Sequence, residues 1–259
     1  MQVRAKKHLG QHFLRDEDIA RQIVNSLLEV NGGTKVVEVG AGTGVLTKYL
    51  FEELKTNFLA LDVDRDSIAY LKEHYPKHAS QVILADFLEA DLKKIIPGKF
   101  NVIGNFPYNI SSQILFKALE HRDQINCVVG MFQKEVAQRI AEKPGTKVYG
   151  IISVLLQAFY TIEYLFTVNE NVFVPPPKVK SAVIRLRRNE TQKLNCDEEL
   201  FTKIVKTTFN QRRKTIRNSI RPIINIPDNE LPSVLTKRPE QLSVDQFVEL
   251  TKFVERKMT

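Results

Sequence analysis

Apolar and polar positions alternate in blocks that change period along the chain. Ile19, Ile23, Val24, Leu27 and Leu28 recur at helical spacing, so Asp16 to Val30 predicts an amphipathic helix that Asn31-Gly32-Gly33 stops. Lys35 to Val39 reads as a short apolar strand ending in Gly40-Ala41-Gly42-Thr43-Gly44, and a helix follows through Leu46, Leu50 and Leu54. Strand-like runs return at Phe58 to Leu61, Val82 to Leu84, Phe100 to Gly104 and Cys127 to Met131, with helical patterns between them. Strands and helices alternating at these lengths predict an α/β fold, a parallel sheet covered on both faces.

After Gly150 the rhythm changes. A helix to Phe159 leads into Tyr160 to Val168, then Pro175-Pro176-Pro177, then an alternating strand from Ser181 to Arg187. Two late strands so close together predict an antiparallel hairpin at the sheet edge. Beyond Arg188 the tail reads as short helices broken by Pro222, Pro227, Pro232 and Pro239. A boundary near residues 188 to 195 gives two domains, 1–190 and 191–259.

Composition narrows the function. The 259 residues carry a formal charge of +8, which favours association with a polyanion and above all with nucleic acid. Cys127 and Cys196 lack metal-ligand spacing, so neither a disulfide scaffold nor a zinc site is expected. His74 and His78 are separated by Pro76 with no third ligand in view, and no metal is predicted. A zinc deaminase acting on adenine would need H-x-E and P-C-x-x-C, and neither occurs. No signal-like or membrane-length apolar run is present, so the expected location is the cytoplasm.

Two motifs carry chemistry. Gly40, Gly42 and Gly44 sit where a strand turns into a helix, preceded by Glu38. This G-x-G-x-G spacing is more typical of S-adenosylmethionine sites than of dinucleotide sites. Asp62, at the end of the next strand, is placed to bind ribose hydroxyls, and Asp86, at the end of the third, to accept from the adenine amine. The fourth strand ends in Asn105-Phe106-Pro107-Tyr108. An adenine amine is a poor nucleophile because its lone pair is delocalised into the ring. Acceptors on its hydrogens, the Asn105 side-chain oxygen and a backbone carbonyl near Phe106-Pro107, would free that lone pair. Pro107 removes a competing donor, and Tyr108 offers a face for a splayed-out base.

Between Lys203 and Arg221 lie Lys203, Lys206, Arg212, Arg213, Lys214, Arg217 and Arg221 with no acid among them, a pattern suited to phosphate binding. Arg4, Lys6 and Lys7 extend that expectation to an N-terminal arm.

The segments Leu9-Gly10-Gln11-His12-Phe13-Leu14, the glycine loop, Asn105 to Ser111, Phe173 to Ser181 and Phe209 to Lys214 together span nearly the whole chain. In them the sequence resembles the KsgA family of ribosomal RNA adenine dimethyltransferases. The resemblance implies a Rossmann-like, S-adenosylmethionine-dependent methyltransferase domain with a small all-helical C-terminal domain. It implies N6,N6-dimethylation of two adjacent adenines near the 3′ end of small-subunit (16S) rRNA within an assembling 30S particle; separately, the chain is expected to be a monomer. Carried over by motif, the cofactor contacts are His12, Leu14, Gly40, Asp62, Asp86 and Asn105. The base sits near Asn105 and Tyr108 with Phe173 as a second stacking surface. From the acid-free basic run, Arg212, Arg213, Lys214 and Arg217 are the residues expected to face RNA. Three positions depart from the family's usual residues: His12 stands for asparagine, Phe106 for leucine or isoleucine, and Asp62 for glutamate. Two alternatives stay open, a large-subunit (23S) rRNA adenine methyltransferase of the macrolide-resistance type and a mainly non-catalytic ribosome assembly factor.

Overall fold

The structure, a computed structural model, describes residues 3–226 and 232–258, so that Pro227 lies outside the described residues. In chain order the elements are β1 (Phe13–Leu14), α1 (Glu17–Asn31), β2 (Lys35–Val39), α2 (Thr47–Leu54), β3 (Phe58–Asp62), α3 (Arg65–His74) and β4 (Val82–Leu84). Then come α4 (Leu92–Ile95), β5 (Phe100–Asn105), α5 (Ser111–Glu120), β6 (Ile125–Gln133), α6 (Lys134–Ala141), α7 (Ile151–Gln157) and β7 (Tyr160–Val168). The last are β8 (Phe173–Val174), β9 (Ser181–Arg188), α8 (Glu198–Asn210), α9 (Ile216–Ser219) and α10 (Val244–Met258).

Contacts divide the chain into two compact units, Met1–Ala137 with Ile162–Arg188, and Gln138–Thr161 with Asn189–Thr259. The first is built on a seven-stranded sheet of order β4-β3-β2-β5-β6-β9-β7. Its pairs from β4 through β6 are parallel, and β9 runs antiparallel to β6. The two late strands do sit together at the sheet edge, but β9 is the inner one. The parallel strands are near-continuous apolar runs because both faces are covered: Val36, Val37, Phe58, Ala60, Val102, Ile103, Val128 and Val129 are all buried. Helix α1 starts where the Asp16 carboxylate accepts the Ile19 N–H at 3.0 Å and stops at Gly32, which takes φ 55°. Its Ala20, Ile23, Val24 and Leu27 face the core.

A separate two-stranded ribbon pairs β1 with β8 in antiparallel register, Phe13 with Val174 and Leu14 with Phe173. It fixes residues 7–14 at one end. In the second unit α7, α8 and α10 bury Val154, Leu156, Phe201, Ile204, Phe247 and Leu250, and the Phe209 and Phe247 rings stack at 6.0 Å. The tail's helices are longer than its prolines suggest, since Pro222, Pro232 and Pro239 fall between α9 and α10 and none interrupts α8 or α10. Among the described residues no helix is long and apolar enough to cross a membrane, and no group of three or more His, Cys, Asp or Glu could hold a metal ion.

Candidate active site

One cleft of the first unit opens at the carboxyl ends of β2, β3 and β5, with an empty volume, mouth included, of about 1020 Å³. Its floor is the glycine loop. Gly40, Gly42 and Gly44 take φ of 76°, 55° and 84°, conformations that side-chain-bearing residues rarely adopt. A Cβ on Gly42 would meet the Phe13 ring at 3.0–3.2 Å, so glycine there also keeps the loop flush against the residues that cross it. The Gly40 N–H is spent on the Leu61 carbonyl at 2.9 Å, which folds the loop back over the end of β3.

Asp62 closes β3 and is 5% exposed. Its Oδ2 accepts the Gly42 N–H at 2.8 Å and its Oδ1 the Asp64 N–H at 2.8 Å. Burial raises its pKa while these backbone bonds pull the other way. A carboxylate has about four acceptor sites, so these backbone bonds do not exhaust its capacity to accept from the hydroxyls of a ribose. Asp86 is exposed on the cleft wall, with its Oδ1 accepting the Leu88 N–H at 2.8 Å and its second oxygen able to accept an amine. This donor set fits the adenosine end of S-adenosylmethionine. Glu38, beneath the loop, is fully buried. Burial pushes its carboxyl up to about 8 against the opposing hydrogen bond from Thr47 Oγ1 at 2.7 Å.

The tetrapeptide ends β5 on the same cleft. Asn105 Nδ2 donates to the His12 carbonyl at 2.9 Å, which commits the amide nitrogen. The Phe106 ring is 1% exposed and packs edge-on against Phe132 at 5.3 Å and 68°. It lies over two glycines that are register partners, Gly104 of β5 and Gly130 of β6. A Cβ on Gly104 would stand 2.6 Å from Phe106 Cε1, and one on Gly130 would stand 2.7 Å from Cδ2 and closer still to Cε2. The bulkier ring is thus received by a glycine trough in the sheet. Tyr108 is half-buried, its hydroxyl bonded to Ser181 Oγ at 2.5 Å and its ring stacked on His12 at 5.5 Å and 26°. The His12 ring is itself held by Nδ1, 2.7 Å from the Pro175 carbonyl.

His12, Gly40, Gly42, Asp62, Asp86, Asn105, Phe106, Pro107 and Tyr108 therefore meet on one cleft. Leu14 and Phe173 do not. Both are core residues, 2% and 1% exposed, opposite each other in the β1–β8 ribbon. Phe173 has no open face for a base unless that ribbon parts, and the expected stacking role does not fit its position. In the second unit Arg213 and Lys214 are exposed, while Arg212 is half-buried, donating to the Thr146 carbonyl at 3.1 Å with Glu240 3.7 Å away. Lys6 is likewise engaged, with Asp64 and Asp66.

Sequence reasoning missed the trough and the Lys6 pairing. A glycine inside a strand pattern hints at a close approach of another group, and Gly104 and Gly130 each carried that hint. Nothing local marked Lys6 as the partner of a carboxylate 58 residues away.

A glycine loop, acids closing the next two strands and an Asn-Phe-Pro-Tyr turn on the fourth define an S-adenosylmethionine-dependent methyltransferase. The family described as ribosomal RNA adenine dimethylase matches residues 2–255, and the chain belongs to it. The Ribosomal RNA small subunit methyltransferase A of Cytophaga hutchinsonii is 56% identical over 256 residues, covering 98% of this chain and 99% of that protein. Its counterpart in Parabacteroides distasonis is 55% identical over 251 residues, covering 96% and 93%. Among solved structures, a dimethyladenosine transferase from Plasmodium falciparum shares the fold with TM-score 0.80 at 24% identity, over 95% of this chain and 98% of that one. The 23S rRNA methyltransferase ErmE aligns with TM-score 0.71 at 26% identity, over 93% and 99%.

Proposed function

We propose that the chain dimethylates the exocyclic amines of two adjacent adenines near the 3′ end of small-subunit rRNA, acting as a monomer on an assembling 30S particle. Identity above 50% over nearly the full length to small-subunit enzymes, against 26% to a large-subunit enzyme, supports the choice of subunit.

The observation that carries the chemistry is the Asn105 carboxamide. With Nδ2 given to the His12 carbonyl, Oδ1 is the atom left to accept a hydrogen from the target amine. The Pro107 carbonyl receives the Ile110 N–H at 3.2 Å, which makes the Phe106 carbonyl the better second acceptor. Two acceptors on the amine hydrogens steer the nitrogen toward tetrahedral geometry and free its lone pair. Bound S-adenosylmethionine supplies an electrophilic methyl group. His12 covers one face of Tyr108, so the flipped adenine stacks on the other. Asp62 and Asp86 would hold the ribose and adenine of the cofactor, and Gly40 and Gly42 line the same cleft. Positioning and fixed dipoles do the catalytic work, and the methylated amine sheds its proton to water afterwards without a general base. Arg213 and Lys214, with Arg217, bind phosphates of the rRNA.

The test is methyl transfer from labelled S-adenosylmethionine to unmethylated small and large ribosomal subunits, followed by mass mapping. Dimethyladenosine at two adjacent small-subunit positions is expected. Label confined to the large subunit would move the chain to the resistance type, and no label in either would favour a binding role in assembly.

A further inference from the structure

Residues 7–14 cross the cofactor cleft as a strap. One end is buried: Leu14 sits in the core, β1 pairs with β8, and the Arg15 N–H bonds the Val172 carbonyl at 2.9 Å. The other end is held by charge. Lys6 Nζ lies 2.5 Å from Asp64 Oδ1 and 2.7 Å from Asp66 Oδ2. Gln11 Nε2 reaches Asp64 Oδ2 at 3.3 Å, and its Oε1 accepts the Lys6 N–H at 2.8 Å. The Asp64 side chain is 0% exposed, whereas that of Lys6 is 32% exposed. A carboxylate so shielded from water needs a counter-ion, and the strap brings it. Undocking the strap would leave Asp64 with only the Asp66 N–H at 3.0 Å among these contacts.

The latch reaches the reacting groups by two short routes. The Asp64 N–H binds Asp62 Oδ1, the carboxylate placed for the ribose. Along the strap, Gly10 at φ 66° turns the chain against Asn109, where any Cβ would collide with the carboxamide, and two residues on the His12 carbonyl accepts from Asn105 Nδ2. An open strap therefore frees Asn105 to rotate and to offer nitrogen instead of oxygen to the target amine.

We propose that Lys6 is a positioning residue for methyl transfer: its ammonium, clamped between Asp64 and Asp66, latches the strap so that the His12 carbonyl holds Asn105 in its acceptor orientation. The inference rests on the methyltransferase reading above. It removes Lys6 from the set of cations facing RNA.

The variant is Lys6→Met, with Lys6→Arg as the conservative control. Three quantities are read on the full chain: kcat, the Kd of S-adenosylmethionine by calorimetry, and hydrogen exchange of the strap amides without cofactor. Lys6→Met is expected to lower kcat and weaken cofactor binding by about fivefold to tenfold each, the size of effect a shift in a closed–open population produces. Strap exchange should accelerate, and Lys6→Arg should restore all three quantities. Raising salt should slow the wild-type enzyme toward the Lys6→Met rate on a saturating substrate, since the clamp is partly solvent-exposed. Unchanged kcat and Kd in Lys6→Met overturn the proposal, as does faster strap exchange with full activity. If the wild-type chain methylates no RNA, the function reading fails, while cofactor affinity and strap exchange still decide the latch.

Discussion

Gly130→Ala adds one methyl group to a central strand, and intrinsic preference alone would make it harmless, since glycine weakens a strand. Packing reverses the sign. The new Cβ would lie 2.7 Å from Phe106 Cδ2 and closer to Cε2, where apolar carbons rest at about 3.5–4.0 Å. The ring must therefore retreat by roughly 1.5 Å or more. Phe132 blocks it on one edge, and Gly104 and the Val39 carbonyl lie beneath. Overpacking of this kind costs about 1–3 kcal/mol, and we expect the upper half of that range. Thermal unfolding of the first unit should fall by roughly 4–10 °C. The ring belongs to the tetrapeptide, so its displacement moves Asn105 and Tyr108, and a shift near 1 Å at a positioning site can cost about 100-fold in rate. The double variant Gly130→Ala, Phe106→Leu supplies the control. Phe106→Leu alone leaves part of the trough unfilled and costs roughly 1 kcal/mol, but with Gly130→Ala it should recover stability and methyl transfer, with a coupling of at least ~1 kcal/mol. Wild-type melting and turnover in Gly130→Ala would refute the trough, and so would a double variant no better than Gly130→Ala.

Other outcomes follow from the same geometry. Asn105→Ala should cut kcat about 100- to 1000-fold, the loss typical of one preorganised polar group, while subunit binding in a pull-down persists. Glu38, held up to about 8 by burial, contributes stability that is complete below the unfolded carboxyl range and disappears as pH rises through that value. Glu38→Gln should flatten the urea-denaturation profile between pH 5 and 8 and gain on wild type by ~3 kcal/mol near neutrality. Reversing charge at Arg213 and Lys214 should weaken rRNA binding and reduce the salt slope by roughly 0.7–0.9 per lost phosphate contact. Arg212→Ala should act differently, lowering the melting temperature through the Thr146 carbonyl and Glu240 contacts.

Much of the first unit was readable because parallel strands announce themselves as short apolar runs, and Lys35–Val39 and Val82–Leu84 fall where those runs do. Asp62, Asp86 and Asn105 were placed by the same logic, since strand ends gather at one edge of a parallel sheet. Burial was harder to read. Phe173 looked like an aromatic near the site, but its partner in β1 turns it into the core, and pairing between residues so distant leaves no local trace. Arg212 fell within an acid-free basic run, yet its counter-charge, Glu240, comes from a later segment. The β9-before-β7 order was likewise invisible, because alternation marks a strand but not its neighbour.

The ribbon between β1 and β8 also sets a schedule for synthesis. His12 meets Asn105 across 93 positions and Pro175 across 163. A nascent chain can assemble the glycine loop and the first parallel strands while Phe13 and Leu14 still lack the strand they pair with. The ribbon, and with it the seating of His12 against Asn105 and Pro175, is thus completed only after Phe173 to Pro175 have left the ribosome.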